Sequence, residues 1–199
     1  FRDAAGNESD VAQQSIELDR VAPQLPVVTI EPEGPTLGPV TITILYPGDD
    51  VMKQYQQWGE HRSTYTGPIL QYSNRNFSAY AIDLAGNESR VDFAVTNIDL
   101  LPPGGTIAIN GGASATNDRK VALEFTYTDN LPGAGEYSLS ADNVNWGDWQ
   151  PVAPAAYELP DADGTHTIYA RFRDRVGHVS NVVSRDIVLD TLAPEAPVI

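Results

Sequence analysis

Short runs of alternating apolar and polar residues recur along the whole chain. Val40–Leu45 (VTITIL), Phe77–Ile82 (FSAYAI), Val121–Tyr127 (VALEFTY), Tyr137–Ser140 and His166–Phe172 (HTIYARF) are rich in β-branched and aromatic residues. That is the pattern of strands with one buried face. Between them stand GPTLGP, YPGDD, TGP, DNLPGAG, DADG and AGN, about every 8 to 15 residues, the turn spacing of an antiparallel sandwich and not of strand–helix units. No stretch carries the periodicity of an amphipathic helix.

The chain also repeats itself. Phe1 to Val27 aligns without a gap on Phe172 to Val198 at a constant offset of 171, and Ile82 to Pro103 is a third copy in which Asp83 matches Asp3 and the pentapeptide AGNES recurs unchanged. Repeats organise a fold before any other feature does. Two repeats of unequal length fill most of the chain, each with about seven strands in roughly 80 to 90 residues, which predicts an all-β protein of tandem immunoglobulin-like antiparallel β-sandwiches. The strands expected in the first are 25–30, 39–45, 53–58, two short ones within 66–72, then 76–82 and 89–97, and in the second 106–110, 119–128, 136–141, 149–153, 156–159, 166–173 and 181–189.

Proline ends each last strand in the segments Asp19–Pro23, Asp99–Pro103 and Asp190–Pro194, which places the boundaries there. Residues 1–22 then read as the C-terminal hairpin of a preceding repeat, 23–101 and 102–192 as two repeats, and 193–199 as the start of another. An isolated hairpin is marginal in water, so 1–22 is expected to be poorly ordered or paired elsewhere.

Charge narrows the function. Twenty-seven Asp+Glu against 12 Lys+Arg give a net charge of −15, which argues against a nucleic-acid footprint. There is no cysteine, hence no thiolate metal site, thiol catalysis or disulfide framework. No apolar run reaches the roughly 20 residues of a membrane helix, so direct membrane insertion is not expected. His61, His166 and His178 are scattered and no nucleophile elbow, zinc-protease pair or phosphate loop is present, so no enzymatic activity is expected.

The recurring D-x-x-G-N-x-S motif lies between the last two strands of a repeat, where its Asp can accept backbone N–H groups and its Gly can take positive φ; His178 stands in place of Asn in the last copy. In a sandwich of this type the loops after the second strand (119–128 in the second repeat) and the sixth (166–173) lie at the end where the chain enters. Asp99 is therefore expected near Asp129, Asn130 and Asp174, and Asp19 near Asp49, Asp50 and Asp83. Several carboxylates converging at a junction make an oxygen cage suited to calcium. Trp146 and Trp149, with Tyr65 in the first repeat, are candidates for stacking on a sugar ring. Trp58 and one of the later tryptophans are expected to pack across the sandwich.

AGNES followed by IELDRVAP, the set Tyr137, Ser138, Asp142, Trp146 and Trp149, and the YARFRD strand resemble the tandem immunoglobulin-like (fibronectin-III-like) repeats of large bacterial extracellular proteins, such as adhesins, surface-layer proteins and accessory regions of secreted hydrolases. In the first repeat Tyr55, Trp58 and Tyr65 stand where the second has Tyr137, Trp146 and Trp149. The resemblance implies a secreted or surface-displayed prokaryotic protein. In it the chain serves as a spacer or stalk, partnered by neighbouring repeats, with any glycan or surface receptor engaged through other domains. Some such repeats are stiffened by calcium. The alternative it leaves open is a carbohydrate-binding accessory module.

Overall fold

A computed structural model describes residues 1–48 and 51–196. The described chain is all-β. Its strands are β1 (Val27–Glu31), β2 (Val40–Leu45), β3 (Met52–Gln57), β4 (Ser63–Thr64), β5 (Ile69–Gln71), β6 (Arg75–Ile82) and β7 (Glu88–Val95), then β8 (Gly104–Ile109), β9 (Ala115–Thr116), β10 (Lys120–Thr128), β11 (Glu136–Ser140), β12 (Gln150–Pro151), β13 (Ala155–Glu158), β14 (Gly164–Arg173) and β15 (Val183–Leu189). They form four sheets, in the orders β1-β2-β5, β4-β3-β6-β7, β13-β10-β8 and β12-β11-β14-β15-β9. The chain divides into two compact units, Phe1–Ile30 with Thr41–Leu70 and Arg75–Val95, and Glu31–Val40 with Gln71–Asn74 and Thr96–Ile199.

In the first unit the inward side chains of β2, Ile42 and Ile44, and of β6, Phe77 and Ala79, are fully or almost fully buried. Tyrosines join the two sheets. Tyr46 donates its hydroxyl to the Gln54 carbonyl of β3, and the Ile44 amide donates to the Tyr65 hydroxyl. Residues 1–22 are exposed throughout and contain no strand, only the Arg2–Glu8 bridge. The turn they carry is specified within five residues, while the segments beside it have nothing to bury their apolar side chains against.

In the second unit the period-2 pattern of β10 buries Val121 and Leu123 against Ile107 and Ile109 of β8, Ile168 and Ala170 of β14, and Ile187 and Leu189 of β15. This is the interior of a two-sheet sandwich. Near one end Phe125 stacks on Tyr137 at 4.2 Å between ring centroids, and Phe172 closes edge-on against Phe125 and Tyr127. A side chain at Gly105 would overlap the Phe172 ring, so close packing at this end requires glycine there.

The strands agree with the sequence pattern to within a few residues, with one exception. After a turn in which Asn110 and Gly111 take positive φ, β9 pairs in parallel with β15, having crossed from the sheet of β8 to the opposite one. Two residues, Ala115 and Thr116, carry no alternation that could mark them. In the first repeat the pair of short strands expected within 66–72 is found as β4, which lies just before that stretch, and β5 within it, with Gly67 and Pro68 between them.

Leu123→Ala is expected to lower the unfolding free energy in urea by about 2–5 kcal/mol. A loss below about 1 kcal/mol would mean that the two sheets do not close around this side chain.

Candidate functional site

The repeated motif builds one turn three times. Asp3, Asp83 and Asp174 each accept the amide of the residue four positions on through Oδ1 and that residue's side chain through Oδ2. The amide distances are 2.9, 2.8 and 2.9 Å, and the side-chain donors are Asn7 at 2.8 Å, Asn87 at 2.9 Å and His178 Nδ1 at 3.1 Å. The imidazole of His178 thus takes the position of an amide. The amide side chains of Asn7 and Asn87 hold the Asp3 and Asp83 carboxyls below the ordinary carboxylate value, with backbone N–H bonds adding to the effect. Because the cassette is complete even in the exposed 1–22 segment, it is encoded locally.

At the third copy the turn meets the segment that leads into β8. Ile98 and Asp99 are buried, and Asp99 is only 2% exposed. The Asp99 amide donates to the Thr36 carbonyl at 2.7 Å, and Asn74 brackets Ile98 by donating to its carbonyl and accepting from its amide. Asn97 donates to the carbonyls of Pro32 and Gly34. The segment is gripped on both sides. Its Asp99 carboxylate stands with Asp174 and His178 so that one ligand atom from each lies within 4.8 Å of the others. His178 Nδ1 is 3.1 Å from Asp174 Oδ2 and 3.9 Å from Asp99 Oδ1.

Of the second-repeat residues expected from sequence, Asp99 and Asp174 come together and Asp129 lies beside them. Burial raises the Asp129 carboxyl above its ordinary value, with the Asp99 and Asp174 charges adding to the shift. Tyr127, whose hydroxyl reaches Asp129 at 3.4 Å, is pushed up to about 12 by burial, with the charges of Asp129, Asp174 and Asp99 adding. Asn130 is exposed and its amide donates to Asp129 Oδ1. The residue that sequence reasoning left out of this set is His178. Its signal was the lone departure from Asn in the repeated motif.

In the first repeat Asp19 is exposed and its carboxylate accepts the Val21 amide. Asp83 is engaged with Asn87, whose side chain also reaches the Asp19 carbonyl at 3.3 Å. Asp49 and Asp50 lie outside the described residues.

The tryptophans are placed differently from the sugar-platform expectation. The loop after β11 folds back over the outer face of its sheet. Ser138 Oγ donates to the Gly147 carbonyl, and Asp142 accepts the amides of Val144 and Asn145. Those backbone bonds, with the Asn145 side chain, hold the Asp142 carboxyl far below the usual carboxylate range. The folded loop brings Trp146 within 4.3 Å and Trp149 within 5.0 Å of the Arg171 guanidinium, and Trp149 within 4.5 Å of that of Arg173, in a cation–π ladder. Arg173 also donates to Glu136 Oε2. Among the described residues Arg171 Nε is the buried side-chain nitrogen with no hydrogen bond, as a flat guanidinium between indole faces allows. Tyr65 packs against Tyr46 and Tyr55 with its hydroxyl accepting from Ile44. Trp58, expected in the core, is 54% exposed, and the interior holds Ile42, Ile44, Tyr46 and Phe77 instead; its indole N–H reaches Ser78.

No protein-family model and no curated protein matches the chain. Among solved structures it is similar to fibronectin(III)-like modules of Clostridium thermocellum CbhA, at 17% identity and TM-score 0.38 over 82% of this chain and 94% of that one. It is similar to a tetra-tandem repeat in the extending region of a large adhesion protein, at 16% identity and TM-score 0.35 over 84% of this chain and 50% of that one. A third is the human Desmocollin-1 ectodomain, at 15% identity and TM-score 0.36 over 86% of this chain and 38% of that one. The chain thus spans half or less of the last two.

A carboxyl whose pKa is raised on folding stabilises below its unfolded pKa and loses that contribution as pH rises through the folded one. In chelator, the stability of the wild-type protein is therefore expected to fall as pH rises above the ordinary carboxylate range. Asp129→Asn should remove that part of the fall and melt at a higher temperature at neutral pH. An unchanged or lower melting temperature would mean that Asp129 does not share the charge of Asp99 and Asp174.

Proposed function

We propose that this chain is a non-enzymatic spacer in a secreted or surface-displayed prokaryotic repeat protein, stiffened where the chain enters its second sandwich. The observation that carries the reading is the burial of Ile98 and Asp99. A flexible linker would leave both in water, whereas here the segment is fixed by backbone and side-chain hydrogen bonds to Thr36 and Asn74. The negative charge of −15 keeps neighbouring stalks apart and soluble. Among the described residues no helix is long and apolar enough to cross a membrane.

The second part of the proposal is that a divalent cation closes the entry. Buried carboxylates are costly unless a positive charge faces them, and Asp99, Asp174 and the adjacent Asp129 concentrate negative charge in one place. Calcium, the ion expected from sequence, draws on their oxygens and on water. The carbohydrate-binding alternative is the less favoured reading, because Arg171 stacks on Trp146 and both Arg171 and Arg173 stack on Trp149.

Nitrogen-15 relaxation tests the spacer. In millimolar Ca²⁺, the amides of Ile98 and Asp99 are expected to show heteronuclear NOE values as high as those of β10, and Asp99→Ala to lower that of Ile98. Values typical of a flexible linker at Ile98 and Asp99 in the wild-type protein, with or without the cation, would contradict it.

A further inference from the structure

The nitrogen in the cluster restricts which cation it suits. We propose that Asp99, Asp174 and His178 form a site for a divalent transition ion of the zinc class; this rests on the cation-closed entry above and names the ion class. Calcium takes oxygen ligands almost without exception, while an imidazole nitrogen beside two carboxylates suits zinc, cobalt and their neighbours. The motif supplies its own control. Where Asn7 and Asn87 occupy this place they donate an amide N–H, which cannot ligate a metal, whereas His178 Nδ1 can.

The geometry supports a ligand and not a turn cap alone. Asp174 Oδ1 is fully engaged by the amides of Val176, Gly177 and His178, which fixes the carboxylate and leaves Oδ2 facing His178 Nδ1. Asp99, though almost fully buried, receives a single hydrogen bond among the described residues, the Leu101 amide at a long 3.3 Å. Its Oδ1 is directed toward the imidazole. A buried carboxylate with so little compensation is the second sign of a missing positive partner, independent of the clustering. The separations of 3.1 and 3.9 Å from Nδ1 bracket the edge of about 3.4 Å that a tetrahedron with metal–ligand distances near 2.0–2.1 Å has. His178 is 27% exposed while both carboxylates are enclosed, so an ion enters from the imidazole side and water completes its coordination. On binding, the ion takes the place of the proton on Nδ1, and the ring stays neutral with its proton on Nε2.

The test uses the whole chain with Co²⁺, Zn²⁺ and Ca²⁺ as probes, and His178→Asn as the variant. That substitution restores the residue found in the other two copies, whose turns form the same bonds, so it is expected to fold. Co²⁺ should bind one to one and show the visible bands of a low-coordinate site. Zn²⁺ should displace it and raise the melting temperature, and His178→Asn should weaken both by roughly tenfold or more. Asp99→Asn should weaken both as well. Equal affinity for Co²⁺ and Zn²⁺ in wild type and His178→Asn would overturn the proposal. If Ca²⁺ stabilises wild type and His178→Asn alike while Zn²⁺ does nothing, the cation-closed entry stands and the zinc-class site falls. If no ion shifts melting or binds, both fall.

Discussion

A carboxylate taken out of water at the start of a domain constrains everything around it. Asp99 is buried next to a second buried aspartate, Asp174, and the chain on either side has no freedom to relieve that proximity. Its amide is bonded to Thr36, its predecessor Ile98 is in the interior, and Pro102 and Pro103 follow within four residues. The cost of keeping two such groups together is large compared with a hydrogen bond. The surrounding sandwich holds them there because releasing Asp99 would also unseat Ile98 and the Asn74 bonds.

The repeated turn explains how the cluster arises from an ordinary structural element. A D-x-x-G-N turn needs only five residues and closes through its own aspartate, so it forms in the exposed N-terminal segment as readily as between β6 and β7. Its carboxylate uses one oxygen for backbone amides and keeps the other for a side chain. Between β14 and β15 that side chain is an imidazole, and the neighbouring strand end brings Asp99 to the same spot. A structural cap thereby acquires the donors of a coordination site by one change of residue.

The fold was legible in the sequence because its information is local: alternation marks the long strands β2, β6, β10 and β14, and glycine and proline mark their ends. The crossing strand β9 was not, since its pairing depends on β15 and not on its own two residues. The convergence of Asp99 with Asp174 followed from the topology of the fold class, but the role of His178 required knowing which atom of the turn faces the linker. The tryptophans were misread for a related reason. Trp146 and Trp149 lie near each other in sequence as a platform would, yet Arg171 and Arg173, two positions apart on one strand face, are what they stack on. Trp58 stays outside an interior built from Ile42, Ile44, Tyr46 and Phe77.

Amide hydrogen exchange at Asp99 addresses the locked entry most directly. If Asp99 is held as described, its amide exchanges only with opening of the second sandwich, at a protection comparable to that of Leu123 in the centre of β10. Exchange of the Asp99 amide at the rate of an unstructured peptide, with Leu123 still protected, would show a free tether and contradict the account.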